Sequence, residues 1–167
     1  MSRRLLVAYA TKHGSVAKVA EFIGATLRQD GLSVDVQPAG AVKTVAGYDA
    51  VVLGGALYMG RWHADAKTFL KRHHEALASV PVAIFAMGPL TLEDKDVNGA
   101  RMQLDRALRS YRDVTPVSVA IFGGVVDPTK LRFPFNRMPE TDARDWEAIR
   151  EWALEVETKV GDLAGVA

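Results

Sequence analysis

LLVAYATKHGSVAKVAEFI, residues 5–23, decides how the chain is read. Residues 5–10 are apolar on both faces, the pattern of a strand covered on both sides. Thr11, Lys12, His13, Gly14 and Ser15 follow, small or polar around one glycine. From Val16 the period changes: Val16, Val19, Ala20, Ile23 and Leu27 fall at i, i+3, i+4, i+7 and i+11, one apolar stripe of a helix. The spacing therefore predicts strand, loop, helix. A loop between a buried strand and a helix start presents free N–H groups and the positive end of the helix dipole, which suits phosphate. Thr11 and Ser15 add hydroxyls, and Gly14 lets the backbone come close.

The same alternation recurs outward from this stretch. Residues 32–37 alternate apolar and polar, as a strand near a sheet edge does. Residues 48–55 (YDAVVLGG), 81–87 (PVAIFAM) and 116–122 are further strands, stopped by Gly54-Gly55, Gly88-Pro89 and Gly123-Gly124. Helices are expected up to Leu77, over residues 98–112, and after Thr141-Asp142, read as the cap of a final helix. The last stripe is Trp146, Ile149, Ala153, Val156 and Val160. Residues 38–47 read as a connection, 90–97 as an acidic loop and 127–140 as irregular. Five strands alternating with helices predict a parallel sheet wrapped on both faces. One domain over residues 1–160 is expected, with 161–167 a frayed tail.

Composition narrows the function classes. The 167 residues are 49% apolar and 25% charged, with a net charge of +1, which leaves no nucleic-acid footprint. The absence of cysteine removes disulfides and thiolate nucleophiles, including that of a low-molecular-weight tyrosine phosphatase. A dinucleotide fingerprint is absent after the first strand. The acidic residues of a phosphoacceptor receiver are replaced by Thr11-Lys12 and Gly54-Gly55. No run approaches a membrane span, and the apolar run after Arg3-Arg4 breaks at Thr11, so it reads as a first strand and not a signal peptide. A cytoplasmic protein is expected. The four histidines do not suggest a metal site.

Val7-x-Tyr9-x-Thr11-x-x-Gly14, with Ala20 and Ile23 beyond it, resembles the FMN-phosphate signature of flavodoxin-like proteins. Ala8 stands where that signature prefers a larger apolar residue. Val16 stands where it has a threonine, and Ser15 is the nearest hydroxyl. The resemblance implies an α/β, flavodoxin-like three-layer sandwich with a five-stranded parallel sheet in the order 2-1-3-4-5. Ligand would then lie beyond the carboxyl ends of the strands, at the glycine-bearing loops 11–16, 55–63, 88–97 and 123–127. It implies FMN as cofactor, held at Thr11, Lys12, His13, Gly14, Ser15 and Val16. The loop after strand three (Ala56, Leu57, Tyr58, Met59, Gly60, Trp62) would cover the flavin ring, with Met87, Gly88, Pro89 and Leu90 as the second wall. Aromatic and apolar faces are what a flat, polarisable ring needs against it. Packing of Tyr58 or Trp62 onto the following helix is the competing reading. Arg61 is either a partner for an anion or an exposed arginine.

The run Tyr58-Met59-Gly60-Arg61-Trp62-His63, the basic-aromatic segment after strand five and Glu140-Thr141-Asp142 with Asp145-Trp146 together resemble the menaquinone-dependent protoporphyrinogen oxidases of bacteria. That family carries a longer, more hydrophobic segment after strand five. The resemblance implies an oxidoreductase working between a small-molecule redox substrate, protoporphyrinogen IX among the candidates, and a quinone or redox protein. A peripheral contact with the inner face of the membrane, from Lys130 to Met138, belongs to the same expectation, and a homodimer is expected because dimers are common among flavin reductases. Basic and apolar residues interleaved there suit a membrane surface, an anionic amphiphile or a partner, and the preferred reading folds the segment back with its phenylalanines buried. Two other classes remain open: a non-catalytic FMN electron carrier, usually strongly acidic, and a binding module that has lost FMN.

Overall fold

The computed structural model describes residues 3–12 and 14–166, with the side chains of 164–166 undescribed; His13, expected in the phosphate loop, lies outside the described residues. Five parallel strands form the sheet: β1 (Arg4–Ala10), β2 (Ser33–Pro38), β3 (Ala50–Tyr58), β4 (Val82–Met87) and β5 (Ser118–Phe122). Their order is β2-β1-β3-β4-β5, the order the sequence suggests. The helices are α1 (Ser15–Gln29), α2 (Ala64–Leu77), α3 (Asp94–Leu108) and α4 (Trp146–Val166).

Period-two alternation in the strands builds two cores. Leu5 and Val7 of β1, Val52 of β3 and Phe85 of β4 point to one side, where α1 and α4 cover them. Leu6, Ala8, Val51, Leu53 and Ile84 point to the other, against α2 and Leu104 of α3. Every residue of the α1 stripe is fully buried. Each large member contributes roughly 1.5–3 kcal/mol of burial, more than helix propensity supplies per residue. Among the described residues no helix is long and apolar enough to cross a membrane.

Four boundaries differ from the sequence reading. β3 runs through Gly54-Gly55 to Tyr58. The glycine pair marks close approach of side chains: a Cβ on Gly54 would lie 1.9 Å from the Phe85 ring, and one on Gly55 2.6 Å from the Trp62 indole. α3 starts at Asp94 because Asp94 and Asp96, read as loop, suit the positive end of a helix. Thr141-Asp142 does not cap α4. Those residues pair antiparallel with Val125-Val126, and Asp145 caps the helix by accepting from the Ala148 N–H at 3.1 Å. α4 continues through residues 161–166, where the sequence suggests a frayed tail.

Candidate functional site

The loops after β1, β3, β4 and β5 meet on one cavity of ≈570 Å³ at the carboxyl ends of the strands. In the first loop the Thr11 hydroxyl accepts from the Gly14 N–H at 2.9 Å, and Gly14 takes a left-handed φ of 89°. This turn starts α1 at Ser15, whose first amides have no intrahelical acceptor. Thr11, Lys12 and Ser15 line the cavity. Val16 is 0% exposed within the core, so a hydroxyl at that position would point away from the site.

β3 leaves the sheet in a tight hairpin. Leu57 pairs with Trp62 and Tyr58 with Arg61, around Met59 and Gly60 at φ 52° and 77°. Two positive φ values match a type I′ turn, costly for a methionine by about 1 kcal/mol. Trp62 anchors the hairpin from below. It is 2% exposed, donates from Nε1 to the Gly55 carbonyl at 3.1 Å, and packs in the core that holds Ala66 and Phe69 of α2. The helix-packing reading of Trp62 therefore describes most of its ring, although the residue also reaches the cavity. Tyr58 and Met59 stand exposed at the mouth. Lys12 Nζ lies 4.7 Å from the Tyr58 ring centroid, which joins the first loop to the hairpin by a cation–π contact. His63 caps α2: its Nδ1 accepts from the Asp65 N–H at 3.0 Å, which places the proton of the neutral ring on Nε2.

Met87, Gly88 and Leu90 form the wall after β4. This wall offers fewer donors than its sequence suggests. The Gly88 N–H is bound to Phe122 O at 3.2 Å, and Pro89 has none, its carbonyl accepting from Gly124 at 2.8 Å. Gly14, Val16, Gly60 and Pro89 shape the loops without lining the cavity, while Ala56, Leu57, Tyr58, Met59, Trp62, Met87, Gly88 and Leu90 all line it.

The sequence places the loop 123–127 at this end of the sheet but names no residue of the fourth wall as a site residue. Gly124, Val125, Val126, Leu131, Phe135 and Met138 close the cavity on the β5 side. Pairing of Val125-Val126 with Thr141-Asp142 ties both ends of the 127–140 excursion to the rim. The phenylalanines are not buried as expected: Phe133 is 69% exposed, and Phe135, which lines the cavity, is still 37% exposed. The apolar residues interleaved with cations were the visible signal, but their partner was not. Lys12, Arg61 and Lys67 line the cavity, and no carboxylate does among the described residues. The site therefore favours anionic ligands, and its apolar walls favour a flat one.

The chain belongs to the flavodoxin domain family, whose model matches residues 6–138. It is 22% identical over 171 residues to protoporphyrinogen IX dehydrogenase [quinone] of Escherichia coli K12, covering 92% of this chain and 94% of that protein. It is 26% identical to the Leishmania major protein of the same name, covering 91% of this chain and 74% of that one. The structure of a Fusobacterium nucleatum flavodoxin bound to flavin mononucleotide superposes with a TM-score of 0.56 at 14% identity, over 94% of this chain and 98% of that one.

Proposed function

We propose that this flavodoxin-domain protein binds FMN in the ≈570 Å³ cavity and acts as an oxidoreductase, passing electrons from a reduced substrate to a quinone. Protoporphyrinogen IX is the first candidate substrate, on the names of the relatives. One observation carries the reading: a polar helix-start loop and two apolar strand-end loops converge on a single cavity that no carboxylate lines among the described residues.

The residues fit the group. Thr11, Ser15 and the first amides of α1 would hold the phosphate, and Lys12 adds positive charge beside it. Leu57, Tyr58, Met87 and Leu90 would wall the ring and exclude water. Ser15, which lines the cavity, supplies the hydroxyl that Val16 lacks. When bound, FMN supplies the redox chemistry, and the chain's own residues bind, orient and shield it. Exposed Phe133 and Phe135 among Arg132 and Arg137 support a peripheral contact of this end with a membrane surface, where a quinone resides.

Anaerobic protoporphyrinogen IX, mixed with FMN-loaded protein and a menaquinone analogue, tests the reading. Porphyrin fluorescence should appear in proportion to protein and require the quinone. FMN binding without turnover on the quinone would replace the enzyme reading with that of an electron carrier.

A further inference from the structure

A second cavity of ≈610 Å³ adjoins the first, lined by Lys12, Tyr58, Lys130, Leu131, Arg132, Phe133 and Phe135. We propose that it seats a separate ligand, a flat aromatic anion bearing a carboxylate or sulfonate, with Arg132 holding the charge and Phe133 and Phe135 the ring.

The lining is three cations, three aromatic rings and one leucine, with no carboxylate among the described residues. Neither Lys12 nor Arg132 has an ion-pair partner among the described residues. Phe133 is 69% exposed, a large apolar surface for a ring to cover, and the Arg137 guanidinium lies 5.2 Å from its centroid. A neutral ring would gain only burial here, whereas an anionic ring also gains the field of the cations. The two cavities share Lys12, Tyr58, Leu131 and Phe135. The Lys12–Tyr58 contact at 4.7 Å stands in this common wall. A ligand in the second cavity therefore lies across one wall from the occupant of the first. Its place beside a redox site rests on the FMN reading, although the seat itself does not.

The test titrates the full chain, with and without saturating FMN, with two fluorescent probes sharing a ring system: 1-anilinonaphthalene-8-sulfonate and its neutral counterpart N-phenyl-1-naphthylamine. The sulfonate should bind about 10-fold tighter than the neutral probe, and FMN should not displace it. Arg132→Gln should weaken the sulfonate about 3-fold and leave the neutral probe unchanged. Phe133→Ser should weaken both, and Arg150→Gln, an exposed charge on α4, should change neither. Both cavity positions are exposed, so far-UV circular dichroism should report an intact fold. Equal affinity for the two probes, no effect of Arg132→Gln, or displacement by FMN would each overturn the proposal. The expected probe pattern in a protein that fails to bind FMN would uphold the seat and defeat the FMN reading.

Discussion

The two ends of the sheet are built differently. At the carboxyl ends, four loops enclose ≈570 Å³ lined by cations and apolar residues, with Tyr58, Met59, Leu90, Leu92, Phe133 and Phe135 exposed around it. At the amino ends, a cavity of ≈370 Å³ lies among Arg3, Asp30, Leu32, Leu154 and Glu157. There burial first, and then the hydrogen bond with Asp30, raise the Glu157 carboxyl above its ordinary value. The first end leaves apolar surface and positive charge uncovered, and the second crowds two acids against each other. Uncompensated apolar surface is what a ligand covers, whereas two acids set close together only disfavour each other's charge. The contrast assigns binding to the carboxyl end and only stability to the amino end.

Four changes sharpen or break that contrast, from the largest effect to the smallest. Trp62→Ala should cost about 3–5 kcal/mol in urea unfolding and also weaken FMN, because the buried indole holds the β3 hairpin. Loss of stability with unchanged FMN affinity would detach the hairpin from the site. Ser15→Ala should weaken FMN about 10-fold with little change in unfolding free energy, since the residue lines the cavity. An unchanged dissociation constant would break the phosphate-loop assignment.

His73 of α2 belongs to neither end. It is buried, its Nε2 has no hydrogen-bond partner among the described residues, and burial lowers its basicity against the opposing bond with the Val42 backbone. A base lowered by folding leaves stability intact above its ordinary pKa of about 6.5 and removes it as pH falls below that value. Unfolding measured from about pH 8 to about pH 5 should show this loss in the native chain and a smaller one in His73→Leu. Equal slopes would show that the native imidazole takes up its proton as readily as the unfolded one. The Glu157 carboxyl acts in the opposite direction. Its stabilising contribution is present at low pH and lost as pH rises through its raised pKa. Glu157→Gln should raise stability at neutral pH by under about 0.5 kcal/mol, since the group is only partly buried, and should leave FMN binding untouched. A change in FMN affinity would erase the division between the ends.

The parts legible in the sequence were those whose physics is local. β1, the Thr11–Ser15 loop and the α1 stripe follow from period and composition over residues 5–27, and parallel order follows from alternation of strands and helices. The acidic start of α3 was misread because Asp94 and Asp96 are loop-like by composition and helix-starting by electrostatics. The β3 hairpin was hidden because Met59 occupies a left-handed position where Asn or Gly would have announced the turn. Beyond residue 127 the fourth wall was not legible because it depends on pairing between Val125-Val126 and Thr141-Asp142, fifteen or more positions apart. Nothing in the spacing of Leu131, Phe135 and Met138 says that the segment returns over the strand ends.

The most direct test of the account is an absorption spectrum of the purified protein before and after addition of FMN. The account predicts flavin bands near ~370 and ~450 nm that stay with the protein through gel filtration, with FMN fluorescence quenched. A colourless protein that leaves the fluorescence of added FMN unchanged at high protein concentration would contradict it.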